Sequence, residues 1–159
     1  MAKISVFIPY LNNSITDRTV QTLSSSPLID KIFILSQEKL GFNRDKVTEL
    51  IIDPFKSSHS IRTIAEHANS DYVLFITKPV EINFNPYTLG RLLKIAQDTQ
   101  AGILYSNYFE IKNNTTQPHP VIDYQLGSVR DDFDFGPLLF INSKALKSTA
   151  STIKYDYMF

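Results

Sequence analysis

The sequence predicts an α/β chain, a three-layer αβα sandwich around a mostly parallel, doubly wound sheet. Residues 3–10, 31–35 and 72–76 are nearly continuous apolar runs, the pattern of strands covered on both faces rather than strands with one wet face. Other segments repeat their apolar residues three and four apart, as Ile61, Ile64, Ala65 and Ala68 do, which gathers them on one helical face. Strands alternating with helices at this spacing argue for right-handed crossovers within one sheet.

The first strand is expected over residues 3–10. Ser14-Ile15-Thr16-Asp17 has the Ser-x-x-acid form related to a capping box, so a helix should cover residues 15–25 and stop before Pro27. A second strand at residues 31–35, a loop over 36–45 and a third strand near 49–52 follow, closed by the turn-favouring pair Asp53-Pro54. Ser57-Ser58-His59-Ser60 leads into the second helix, for which Asn69 is a plausible C-cap, and residues 72–76 form the fourth strand. Pro86 suits the first turn of a helix whose stripe is Leu89, Leu92, Leu93 and Ala96. A fifth strand is expected from Gly102 and through Ile111, up to a turn at residues 112–115.

Beyond Thr116 the rhythm changes. Pro118-His119-Pro120 breaks the chain, residues 123–135 are polar and acidic with aromatics, and a last strand at 138–141 precedes a short helix at 143–147. No linker divides the 159 residues, so the expectation is one domain, 1–159, with a regular half at 1–111 and a less regular one at 112–159.

Composition excludes several classes. Sixteen basic residues balance sixteen acidic ones, so the chain lacks the positive field that recruits nucleic acid through its phosphates. With no cysteine there are no disulfides, thiolate metal sites or thiol nucleophiles. The apolar start is short and runs into Asn12-Asn13 without a small-residue cleavage site, so it reads as a strand and the protein as cytoplasmic. No window reaches the roughly 20 apolar residues of a membrane span, so membrane contact would come from a peripheral surface or from sequence beyond this chain. The sequons at Asn12, Asn113 and Asn114 then read as polar turn residues. Phosphate-loop, dinucleotide and hydrolase-elbow motifs are absent, and His59 and His67 have no third ligand nearby.

Local strings carry a resemblance. Ile4-Ser5-Val6-Phe7-Ile8-Pro9-Tyr10 followed by Asn12, an Ile- and Ala-rich helix running into Asn69-Ser70-Asp71-Tyr72-Val73-Leu74-Phe75-Ile76, then Tyr105-Ser106-Asn107-Tyr108 and Gly136 before Leu138-Leu139-Phe140 occur in the order seen in family 2 glycosyltransferases. The chain resembles that family over residues 3–148. The resemblance implies a GT-A fold, with a Rossmann-like nucleotide-binding sheet, a nucleotide-sugar donor and a glycan or lipid-linked acceptor. It implies that Pro9, Tyr10 and Asn12 hold the nucleotide base. A divalent cation or basic side chains would offset the charge on the departing diphosphate, and a carboxylate would take the acceptor's proton.

Two departures from the family pattern matter. Ser36-Gln37-Glu38 stands where an Asp-Asp-Gly-Ser-like turn is usual, leaving Glu38 as the substitute for the base-contacting acid. Thr77-Lys78-Pro79 stands where Asp-x-Asp would hold Mn²⁺ or Mg²⁺. Either Lys78 places a fixed charge on the diphosphate, or the domain binds without catalysing; an exposed loop lysine is the plainer alternative. Carboxylates for a cation are available at Asp131, Asp132 and Asp134, where an extended segment would put Asp132 and Asp134 on one side and Phe133 and Phe135 on the other. The competing reading is a solvated acidic loop with Arg130 paired to a neighbouring aspartate. Asp134 and Asp156, the latter matching the family's late acidic motif, are the catalytic candidates. The rivals to sugar transfer are a non-catalytic GT-A-like nucleotide-binding, glycan-binding or interaction domain, and a nucleotidyltransferase, which usually carries a Gly-rich, Lys/Arg-bearing N-terminal loop that is missing here.

Overall fold

The computed structural model describes residues 2–42, 44–85, 87–127, 129–130, 133–154 and 156. Along them run β1 (Ile4–Pro9), α1 (Asn13–Ser24), β2 (Ile29–Ser36), β3 (Val47–Ile51), α2 (Ser58–His67), β4 (Tyr72–Ile76), α3 (Thr88–Thr99), β5 (Ile103–Leu104), β6 (Tyr108–Lys112), β7 (Thr115–His119), β8 (Leu138–Asn142) and α4 (Ser143–Ser151). Six strands form one sheet in the order β3-β2-β1-β4-β8-β5, and β6 and β7 form a separate ribbon. The pairs β3-β2, β2-β1 and β1-β4 are parallel, whereas β8 runs antiparallel to both β4 and β5.

The expected mostly parallel three-layer sandwich is therefore present, with one reversed strand inside it. Alternation along the strands sends side chains to two cores. Ile4, Val6, Ile8, Ile32, Ile34, Leu74 and Ile76 meet Val20 and Leu23 of α1 and Leu89, Leu92, Leu93 and Ala96 of α3. On the opposite face Phe7, Phe33, Leu35, Leu50 and Val73 meet Ile64 of α2 and Leu146 of α4. Phe7 and Phe33 stack with centroids 4.7 Å apart, a contact that adds to their burial. Ser5 is the polar exception in β1, and its hydroxyl donates to Ser70, which donates to Asp30.

Helix starts follow side-chain caps. Asn12 Oδ1 accepts the Ile15 N–H at 3.0 Å, so α1 begins two residues before the Ile15 expected from the capping-box string. Ser57 Oγ caps α2 and Asn142 Oδ1 caps α4. At the other end of α2 the C-cap is Ala68 rather than Asn69. Pro86 lies outside the described residues. β2 and β3 are joined without a helix; Leu40 and Phe42 of the connecting loop instead pack on the core.

The fifth strand does not run on to Ile111. β5 is two residues long, the chain then leaves the sheet, and residues 108–112 pair with 115–119. Asn113 and Asn114, at φ of 50° and 60°, make the tight two-residue turn that matches the twist of a hairpin. Pro118 fits because it faces Phe109, a non-hydrogen-bonded pair when counted from that turn, where the ladder needs no proline N–H.

Candidate functional site

The parallel strands end together, and a cleft of about 410 Å³ opens there, lined by Pro9, Tyr10, Glu38, Asp53, Phe55 and Pro79 among others. That volume lies in the range of small-ligand sites, and the carboxyl ends of an open parallel sheet are where such folds bind ligands. Backbone bonds hold the cleft together: Tyr10 N–H donates to Leu35 O and Ile52 N–H to Ser36 O, both at 2.9 Å. Tyr10 sets its ring edge-on to Phe42 and donates its hydroxyl to Asn13 Oδ1. The loop carrying Glu38 is pinned by Glu49, whose two carboxylate oxygens accept the N–H groups of Leu40 and Phe42. Ser36 Oγ donates to Glu38 O at 2.6 Å, tightening the turn further. The Asp53 carboxylate stands half-exposed on the rim, with His59 Nε2 at 3.9 Å.

Beside the cleft, just past Pro79, a second group of side chains converges. Lys78 Nζ is 3.6 Å from Asp134 Oδ1 and His119 Nε2 is 3.7 Å from Asp134 Oδ2. Asp134 Oδ1 also accepts the Gly136 N–H at 2.9 Å. That backbone donor does most to hold the Asp134 carboxyl below the usual carboxylate range; burial opposes it, and Lys78 and then His119 add smaller lowering effects. Thr77 fastens the loop to the start of β8 through its N–H to Pro137 O and its hydroxyl to Gly136 O. Gly136 adopts φ +81°, and a Cβ there would lie 3.3 Å from the Tyr108 ring. Tyr108 stacks on His119 with centroids 4.5 Å apart, which fixes the imidazole plane. Phe133 and Phe135 pack together against Tyr105, on one side of the segment that carries Asp134.

No family model matches the sequence, and no curated protein does. Solved structures do share the fold. The 2-C-methyl-D-erythritol 4-phosphate cytidylyltransferase of Francisella tularensis is 17% identical with a TM-score of 0.50, over 94% of this chain and 77% of that one. The corresponding enzyme of Thermus thermophilus is 12% identical, TM-score 0.53, over 94% and 75%. The 4-diphosphocytidyl-2C-methyl-D-erythritol synthase of Anaerococcus prevotii is 13% identical, TM-score 0.55, over 94% and 74%. The fold is nucleotidyltransferase-like and GT-A-like.

Within that fold, three of the five residues expected to bind nucleotide, Pro9, Tyr10 and Glu38, line one cleft. Lys78 lies next to it and faces Asp134. Asn12 spends its side-chain oxygen on the α1 cap. Asp156 pairs with Arg62 of α2, away from the residues that line the cleft. Of the three carboxylates expected to hold Mn²⁺ or Mg²⁺, Asp131 and Asp132 lie outside the described residues, and Asp134 stands beside Lys78 and His119. No set of three His, Asp or Glu side chains among the described residues is placed to share a metal ion. No helix among the described residues is long and apolar enough to cross a membrane.

Two members of the site, Asp53 and Glu49, lay outside the residue-level expectations. Asp53 lies two residues past β3, which ends at Ile51, a signal available from strand-end position alone. His119, read as a rigid loop between prolines at the border of the acidic segment, ends β7, whose sequence has no apolar run, and faces Asp134. Glu49 sits inside a strand, and its role as a loop anchor depends on a crossover without a helix.

Proposed function

We propose that this chain is a glycosyltransferase-type domain that binds the nucleotide of a sugar nucleotide in the strand-end cleft and directs the diphosphate toward Lys78. A glycan or lipid-linked hydroxyl would be the acceptor. The observation that carries the reading is the convergence of Pro9, Tyr10, Glu38 and Asp53 on one ligand-sized cleft with a lysine at its edge. Apolar walls from Tyr10 and Phe55 suit a base, and the two carboxylates suit hydroxyl and amide donors. Lys78 would offset charge on the departing diphosphate where Asp-x-Asp would otherwise hold a cation. Of the two catalytic candidates, Asp134 is the better placed to accept the acceptor's proton, since it adjoins Lys78 whereas Asp156 is paired on α2.

Nucleotidyl transfer is the activity named for the solved structures of similar fold. Against it here, the segment between β1 and α1 is only Tyr10-Leu11-Asn12, with no Gly, Lys or Arg to cradle a triphosphate. Binding without transfer is the second reading, favoured by Thr77-Lys78-Pro79 at the end of β4. Isothermal titration of the protein with UDP and GDP, each with and without Mn²⁺, tests the proposal. Metal-independent binding is expected. Binding that needs the cation would shift the diphosphate role from Lys78 to carboxylates, and absence of binding would overturn the nucleotide reading.

A further inference from the structure

The geometry points to a phosphate-binding subsite built from the Lys78 ammonium, the His119 imidazole and the Gly136 N–H, which the Asp134 carboxylate fills in the free protein and a diphosphate takes over. This rests on the nucleotide reading of the adjoining cleft. Three donors from three separate segments, the loop after β4, strand β7 and the turn before β8, meet on the two oxygens of one carboxylate. A carboxylate at such a focus occupies the place of two phosphate oxygens, the acceptor that fixed N–H groups and cationic side chains also receive well.

The occupant is held loosely. Lys78 and His119 stand 3.6 and 3.7 Å from it, beyond the 2.7–2.9 Å expected of tight charge-assisted bonds. The side chains of Lys78, His119 and Asp134 are 52%, 42% and 48% exposed, so their contacts are weak, screened and within reach of a ligand. Two of the donors, in contrast, are well fixed. His119 lies between Pro118 and Pro120 and against the Tyr108 ring, and Gly136 is tied to Thr77. Pro79 lines the cleft and is the chain neighbour of Lys78, so on this proposal a nucleoside held in the cleft extends its phosphates toward the group. A diphosphate brings more negative charge than one carboxylate and gains more from the same donors. Once displaced, Asp134 loses the contacts that depress its proton affinity, which suits it better to accept a proton.

The test compares UDP, uridine and inorganic pyrophosphate by calorimetry on the whole chain, for the wild type, His119→Gln and Asp134→Asn, with circular dichroism confirming the fold of each variant. The expectation for His119→Gln is about tenfold weaker UDP binding, the scale of one charge-assisted bond, with uridine unchanged. For Asp134→Asn it is tighter binding of UDP and of pyrophosphate. Wild-type UDP affinity in His119→Gln would overturn the proposal, as would weaker UDP binding in Asp134→Asn. If the wild type binds neither uridine nor UDP, the cleft reading fails by itself. Pyrophosphate then reads the subsite alone: binding weakened by His119→Gln sustains it, and no binding overturns it.

Discussion

Single residues at the site answer to different physics. Gly136 holds φ +81° with the Tyr108 ring against it, so Gly136→Ala meets both backbone strain and a displaced ring. The expected loss is about 1–2 kcal/mol from the left-handed backbone alone, read by urea denaturation. Glu49 accepts two loop N–H groups with one carboxylate, and Glu49→Ala leaves both without that partner. A destabilisation of about 1–3 kcal/mol is expected, together with weaker nucleotide binding, because Glu38 and Leu40 in that loop line the cleft. Asp134 makes a claim about acid. Its folded carboxyl titrates below the ordinary value, so its contribution is fully present above the unfolded-state value and is lost as pH falls through the folded one. Denaturation of wild type and Asp134→Asn across the acid range should show a small wild-type advantage at neutral pH that disappears in acid; an advantage that grows in acid would contradict the assignment.

At the scale of elements, apolar stripes were legible, caps only in part, and strand direction not at all. The apolar spacing of Leu89, Leu92, Leu93 and Ala96 marked α3, and residues 72–76 marked β4 with its bounds. Asn12 was read as a base contact because the family resemblance placed it there, yet as first residue before α1 it also has the chemistry of an N-cap. Asn12→Ala should cost about 1 kcal/mol by thermal or urea unfolding. Strand β7, Thr115–His119, left no apolar signature because the ribbon has water on much of its surface, with Phe109 71% exposed. The run Leu138-Leu139-Phe140-Ile141 announced a buried strand, but an apolar run reads the same in either direction, and only pairing with β4 and β5 reveals that β8 is reversed.

For the whole molecule, the layers were readable because burial on both faces writes itself into composition, whereas the site was only partly so. Cleft residues at strand ends follow from topology, and Pro9, Tyr10 and Glu38 could be named before any coordinates. The Lys78, His119 and Asp134 group draws on residues 41 and 15 positions apart, a proximity that no local motif encodes. Stability rests on the two cores. Leu74, fully buried in the middle of the sheet, should cost about 2–5 kcal/mol when replaced by Ala, with a matching fall in the urea midpoint.

The reversed strand has a consequence for the order in which the protein acquires its structure. β4 is flanked on one side by β1, already made, and on the other by β8, which follows it by about sixty residues. During synthesis the growing chain would therefore carry β4 with an open, largely apolar edge until residues 138–142 leave the ribosome. Such an edge is a template for pairing with another nascent chain. A version halted before Leu138 should aggregate, and chaperone demand should fall once β8 has emerged.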